Sequence, residues 1–210
     1  MTAERKSGVI LAIIAALEVG WVLMNLQISG WRFIRYLGFA RGMSGNLAGW
    51  IAAVVATAIF VAFALRLPSV RENLFRPTLL KLLAIALAIG SGILEEVMFR
   101  RWPMNWLMAH GYGAVVQVLG AGLLFGVIHG IWGLMGKSFR AALGATIATG
   151  FLGMMLGIVF LLAGRSLAPC IVAHFLINLL IEPGLVLAAT RGEMGSSRVR
   201  PTLPTPVPNQ

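Results

Sequence analysis

The 210-residue chain has no aspartate, a single cysteine and only seven acidic residues, all of them glutamate. The lone Cys170 excludes an internal disulfide and any metal site built on several thiolates. It lies in an apolar run and is expected to pack as a small buried hydrophobe. Charged residues make up 11% of the chain and hydrophobic ones 59%, whereas soluble domains average roughly 25% charged and about 45–50% apolar. So little polar surface cannot face water all round, which excludes a soluble globular domain. Neither a Walker nor a dinucleotide-binding glycine pattern occurs, nor an HExxH motif, nor an internal repeat. The net charge of +10 would suggest nucleic acid in a soluble chain. Here the basic residues fall between apolar runs, as topology signals and contacts to anionic lipid headgroups do, and no nucleic-acid partner is expected.

Long apolar runs are what the chain does have. A helix needs about 20 apolar residues to cross a bilayer, and six stretches qualify: roughly 8–26, 47–65, 79–94, 115–135, 141–163 and 167–189. The expected fold is all-α, a polytopic transmembrane bundle of about six spans with a polar cavity inside the membrane. The run 79–94 is short and meets Glu95 and Glu96 at once, so its helix is expected to continue toward Arg100. The segment 102–113, with Trp102, Trp106 and Tyr112 beside Pro103, has the composition of a membrane interface. The first run passes Glu18 without a convincing cleavage site and is expected to be a retained span, not a removed signal. Three regions follow: two N-terminal spans in 1–78, a core of about four spans in 79–190, and a Pro-rich disordered tail in 191–210. Glycines such as Gly144, Gly150, Gly153 and Gly157 lie within apolar runs, where small residues let helices approach closely. With the N-terminus inside, more basic residues fall on the inner side than on the outer one, where Arg32, Arg35, Arg41, Arg100, Arg101 and Arg165 lie. That bias predicts a multi-pass cell-membrane protein with both termini cytoplasmic.

Four of the seven glutamates, Glu18, Glu95, Glu96 and Glu182, lie in or beside apolar runs. An ionised side chain at the bilayer centre costs at least about 2.5–3.5 kcal/mol, so intramembrane acids are functional candidates. Glu96 and Arg100 are i and i+4 with the acid N-terminal, the favourable order for a helical ion pair. Adjacent residues of a helix point about 100° apart, so Glu95 faces elsewhere. Glu96 is thereby assigned a structural role, and Glu95, left free in a low dielectric, that of a general base. His129 follows Phe125 by four residues, and His174 precedes Asn178 by four, each pair on one helical face. Phe125 is expected to wall the site beside His129. His174 and Asn178 can direct two hydrogen-bond donors at one point, as stabilisation of a developing oxyanion requires. His110 belongs to the interfacial segment, outside this set. Glu18 is alone in the first run, and Glu182 sits beside Pro183, where the last helix is disturbed.

Glu95-Glu96-Val97-Met98-Phe99-Arg100 matches EExxxR, Phe125 to His129 matches FxxxH, and His174 to Asn178 matches HxxxN. Together, in this order on successive apolar runs, they resemble the CPBP family of intramembrane proteases, which includes the type II CAAX-prenyl endopeptidases and the abortive-infection proteins. The resemblance covers about 79–182. It implies a helical membrane core around a water-filled cavity open to one side. It further implies that Glu95 activates the attacking water with help from His129, that His174 and Asn178 stabilise the oxyanion, and that Glu96 and Arg100 hold the site in shape. The expected partners are membrane lipids and a membrane-associated protein or peptide substrate. No cofactor is favoured. The alternative is zinc on Glu95, His129 and His174, a His₂Glu set like that of soluble metalloproteases. Two other function classes fit the composition. One is a non-catalytic peptide-binding or immunity protein; the other is a small transporter with a buried proton relay.

Overall fold

The computed structural model describes residues 2–131 and 139–193. The expected tail lies almost wholly outside the described residues. Those described form helices joined by short turns: α1 (Ala3–Ser29), α2 (Trp31–Tyr36), α3 (Leu47–Ala64), α4 (Pro68–Asn73), α5 (Leu79–Glu96), α6 (Trp102–Ala109), α7 (Ala114–His129), α8 (Phe139–Leu162), α9 (Ala168–Ile181) and α10 (Gly184–Arg191). The starts follow local chemistry. Thr2, Asn46 and Thr78 each accept a backbone N–H of the first turn of α1, α3 and α5, and Pro68 and Pro169 sit in first turns where a missing N–H costs nothing.

Four helical units are long and apolar enough to cross a membrane: α1, α3, the unit from α5 through α6, and α8. The bent pair α9–α10, broken by 56°, makes a fifth. The sixth expected run, 115–135, is a shorter apolar helix, α7, of 16 residues, and residues 132–135 of that run lie outside those described. The break between α9 and α10 comes at Glu182-Pro183. There Glu182 Oε2 accepts the Val186 N–H, and Lys81 Nζ donates to the carbonyls of Leu179 and Glu182. The lysine thus caps the carbonyl end of one helix and the carboxyl group the amide end of the next.

The fifth helix continues through Glu95 and Glu96 as expected, but Val97–Arg101 winds as one π-helical turn before α6. With α6 the unit runs 31 residues, Leu79–Ala109, about 46 Å at 1.5 Å per residue and longer than the roughly 30 Å of bilayer hydrocarbon.

Small residues set the packing around α5. Its Gly90 faces α1, where an added Cβ would lie 2.6 Å from the Glu18 Cβ, and Gly92 faces α9, 3.3 Å from the Phe175 nitrogen on the same measure. Gly8 lies against Leu80 as Gly90 lies against Glu18, so α1 and α5 run parallel with a constant offset. On the other side α7 and α8 meet glycine to glycine. A Cβ on Gly126 would press on the Thr146 carbonyl oxygen and lie 2.8 Å from the Gly150 Cα, and one on Gly153 would lie 2.9 Å from the Gly122 Cα. Such approach replaces the hydrophobic drive that lipid removes. Gly126→Ala is expected to cost about 1–3 kcal/mol by overpacking, visible as a lower midpoint of thermal unfolding in detergent. Gly144→Ala, with nothing within 4 Å, is expected to leave the midpoint unchanged.

Contacts sort the loops into two ends. At one, Ser7 bonds Thr190, Ser69 bonds Glu193, and Arg191 bonds Ser69. At the other, Arg165 spans Asn105, the Met104 carbonyl and Gln117, Arg101 donates to the Arg165 carbonyl, and Ser166 donates to that of Met43.

Candidate active site

A cluster of polar side chains comes from α5, the π-helical turn that follows it, α7 and α9. Arg100 and Glu96 are wholly buried, and Arg100 Nη1 donates to Glu96 Oε1 at 2.9 Å. The i,i+4 pair survives the π-helical turn between them. The Arg100 guanidinium also lies over the Phe125 ring, 4.6 Å from its centroid, and donates to the Gly153 carbonyl at 3.4 Å. That second bond depends on the glycine packing of α7 against α8. Glu96 Oε1 accepts one further hydrogen bond, from His174 Nδ1 at 2.6 Å. This long-range partner was not visible in the motif spacing. Glu96 is thereby both the counter-ion of Arg100 and the group that fixes the His174 ring.

Two histidines converge on Glu95. His129 Nδ1 donates to the Phe125 carbonyl at 2.8 Å, one turn back along α7. His174 Nδ1 donates to Glu96. In both rings the bonded nitrogen leaves Nε2 pointing inward, because the hydrogen bond at one nitrogen decides the tautomer at the other. His129 Nε2 lies 3.5 Å and His174 Nε2 3.7 Å from the same oxygen, Glu95 Oε2, which is buried and makes no hydrogen bond of its own. Phe125 sits between the rings, with centroids 4.1 Å from His129 and 5.8 Å, edge-on, from His174, and Phe99 backs it at 5.0 Å.

Asn178 lies one turn beyond His174 on α9. Its Nδ2 donates to Ser91 Oγ at 2.8 Å, and Ser91 in turn donates to the Leu87 carbonyl. One amide hydrogen is therefore held by α5 and the other is left over. Ser91 was not singled out in the sequence, although its place four residues before Glu95, on the same face of an apolar helix, is the signal that could have found it. Glu18, level with Gly90, is buried beside α5 with Oε2 unbonded. His110 bonds the Trp106 carbonyl in its own helix, and Cys170 donates to the Leu156 carbonyl. Among the described residues no group of three His, Cys, Asp or Glu is arranged to hold a metal ion.

An all-helical bundle with several apolar spans and a carboxylate–imidazole cluster between them defines a multi-pass membrane protein with a buried polar site. Residues 77–180 match the family model described as type II CAAX prenyl endopeptidase Rce1-like. Over that segment, which includes all three motifs, the chain belongs to the Rce1-like family of CAAX-type intramembrane proteases, whose substrates are membrane-associated proteins or peptides. No curated protein and no solved structure matches the chain.

Proposed function

We propose that this protein is an endopeptidase that hydrolyses its substrate's peptide bond within the membrane by a glutamate-activated water, without a metal. The observation that carries the reading is the approach of two inward Nε2 atoms to one oxygen of Glu95 at 3.5 and 3.7 Å. A water held there gives its proton to Glu95, assisted by His129, as its oxygen attacks the scissile carbonyl. The oxyanion takes hydrogen bonds from the remaining Asn178 amide hydrogen and from His174 Nε2 when that nitrogen carries a proton. Glu95 then returns the proton to the leaving amine, which restores the carboxylate. Glu96 and Arg100 position the His174 ring, and Ser91 positions the Asn178 amide.

Support for a metal-independent reaction is chemical. The fourth member of the set is a carboxamide, a poor zinc ligand and a good oxyanion donor. Purified protein in detergent is therefore expected to cleave its peptide equally with and without a strong chelator. Loss of cleavage on chelation, with recovery on added zinc, would instead make Glu95, His129 and His174 metal ligands.

A milder effect is expected at Ser91. Ser91→Ala removes the acceptor that orients Asn178 but no group that touches the substrate. About a tenfold fall in kcat with little change in KM is expected, since loose donors lose part of what an oriented pair supplies. A change confined to KM would place Ser91 in substrate binding instead.

A further inference from the structure

A cavity of about 330 Å³ with several polar side chains in its lining lies outside this site, between the C-terminal part of α1, α2 and the turn from the π-helical segment into α6. Its lining includes Trp21, Asn25, Ser29, Arg32, Tyr36 and Trp102. The parallel register of α1 and α5 puts it beyond Glu95, toward the end of the bundle that holds Arg165. Three observations bear on what it takes.

Charge is the first. The loops and helix ends at that side, residues 29–47, 101–117 and 162–168, contain Arg32, Arg35, Arg41, Arg101 and Arg165 and no acid. Arg101 is committed to the Arg165 carbonyl and to the face of Tyr36, 4.6 Å from its centroid. Burial lowers the basicity of Arg165, and the neighbouring charge of Arg101 lowers it further. Arg32 is the second observation. It lines the cavity and makes neither a hydrogen bond nor an ion pair with any described residue. A guanidinium in that position has its donor fork free for an anion, and a phosphate matches it bidentately. The third is the rim. Ile28 is 76% exposed, Trp31 65% and Trp102 55%, at the end of spans whose outer faces are apolar. Exposed Trp at this level marks the headgroup layer. A ligand that satisfies both parts must carry an anion for Arg32 and acyl chains for the rim; a soluble phosphate satisfies only the first.

We propose that this cavity binds the phosphodiester headgroup of an anionic membrane phospholipid, with Arg32 as its anion ligand. The site is separate from the proteolytic one, and its test does not depend on cleavage. Purified protein in neutral detergent is titrated with dioleoylphosphatidylglycerol, with dioleoylphosphatidylcholine and with glycerol 3-phosphate, and bound lipid is counted by native mass spectrometry alongside the thermal midpoint. Phosphatidylglycerol is expected to bind as one retained molecule and raise the midpoint, phosphatidylcholine to bind more weakly, and glycerol 3-phosphate to do neither. Arg32→Gln is expected to weaken phosphatidylglycerol binding about tenfold, the scale of one charge-assisted hydrogen-bonded contact. Ser29→Phe, which fills the cavity and keeps the charge, is expected to weaken it as well, whereas Arg35→Gln is not. Equal binding by wild type and both cavity variants would overturn the proposal. An equal response to glycerol 3-phosphate would reassign the cavity to a soluble phosphate and overturn the lipid.

Discussion

Glu95→Gln is expected to reduce peptide cleavage by about 10²–10⁴-fold, the usual worth of a positioned general base, without unfolding the protein. The substitution keeps shape and removes only the ability to accept a proton. Glu95 is not needed to neutralise Arg100, because Glu96 does that at 2.9 Å. The two adjacent carboxylates thus separate experimentally. Thermal unfolding of the variant should match wild type closely while single-turnover cleavage collapses. Cleavage within a few-fold of wild type would remove Glu95 from the chemistry and shift the role to a binding protein that tolerates an isosteric amide.

The second large effect is expected at Arg100, and it is one of stability. Arg100→Met strands the Glu96 carboxylate at a fully buried position, where His174 is its only other partner among the described residues. Removing one member of a buried pair costs about 3–5 kcal/mol, because the desolvation penalty of the survivor is no longer offset. The double variant Glu96→Gln with Arg100→Met removes both charges and is expected to recover part of that loss. Circular dichroism melts of the three proteins in one detergent check the order: wild type highest, the double variant between, Arg100→Met lowest. A double variant less stable than Arg100→Met would contradict the account of Glu96 as a carboxylate held in place by its cation. The double variant also loses the carboxylate that fixes the His174 ring, so cleavage is expected to fall in it.

Much of this arrangement was legible in the chain because the bilayer imposes simple rules. Runs near 20 apolar residues gave α1, α3, α5 and α8, and the i,i+4 rule gave the Glu96–Arg100 pair and the separation of Glu95 from it. The single faces of Phe125 with His129 and of His174 with Asn178 followed from helical geometry alone. Other features have no local signature. The π-helical turn at Val97–Arg101 is not encoded in hydropathy, since one inserted residue changes the hydrogen-bond pattern and leaves composition untouched. Such turns are frequent at functional sites, and this one overlaps the EExxxR motif. The bond from His174 to Glu96 joins residues 78 apart in the chain and is set by tertiary packing of α9 on α5 through Gly92. The Ser91–Asn178 bond has the same origin. The run 115–135 has the apolar count of a full span; its described helix is the 16-residue α7, Ala114–His129, and residues 132–135 lie outside those described. The run 167–189 is bent because Pro183 supplies no N–H to continue α9.

The most direct test of the central claim is cleavage of a peptide library that includes a farnesylated CAAX peptide. It would use purified wild type and Glu95→Gln in detergent, with products identified by mass spectrometry. The account predicts cleavage of at least one membrane-partitioning peptide by wild type at a single bond, and a rate at least about 10²-fold lower by the variant. Cleavage by the variant at the wild-type rate would contradict it.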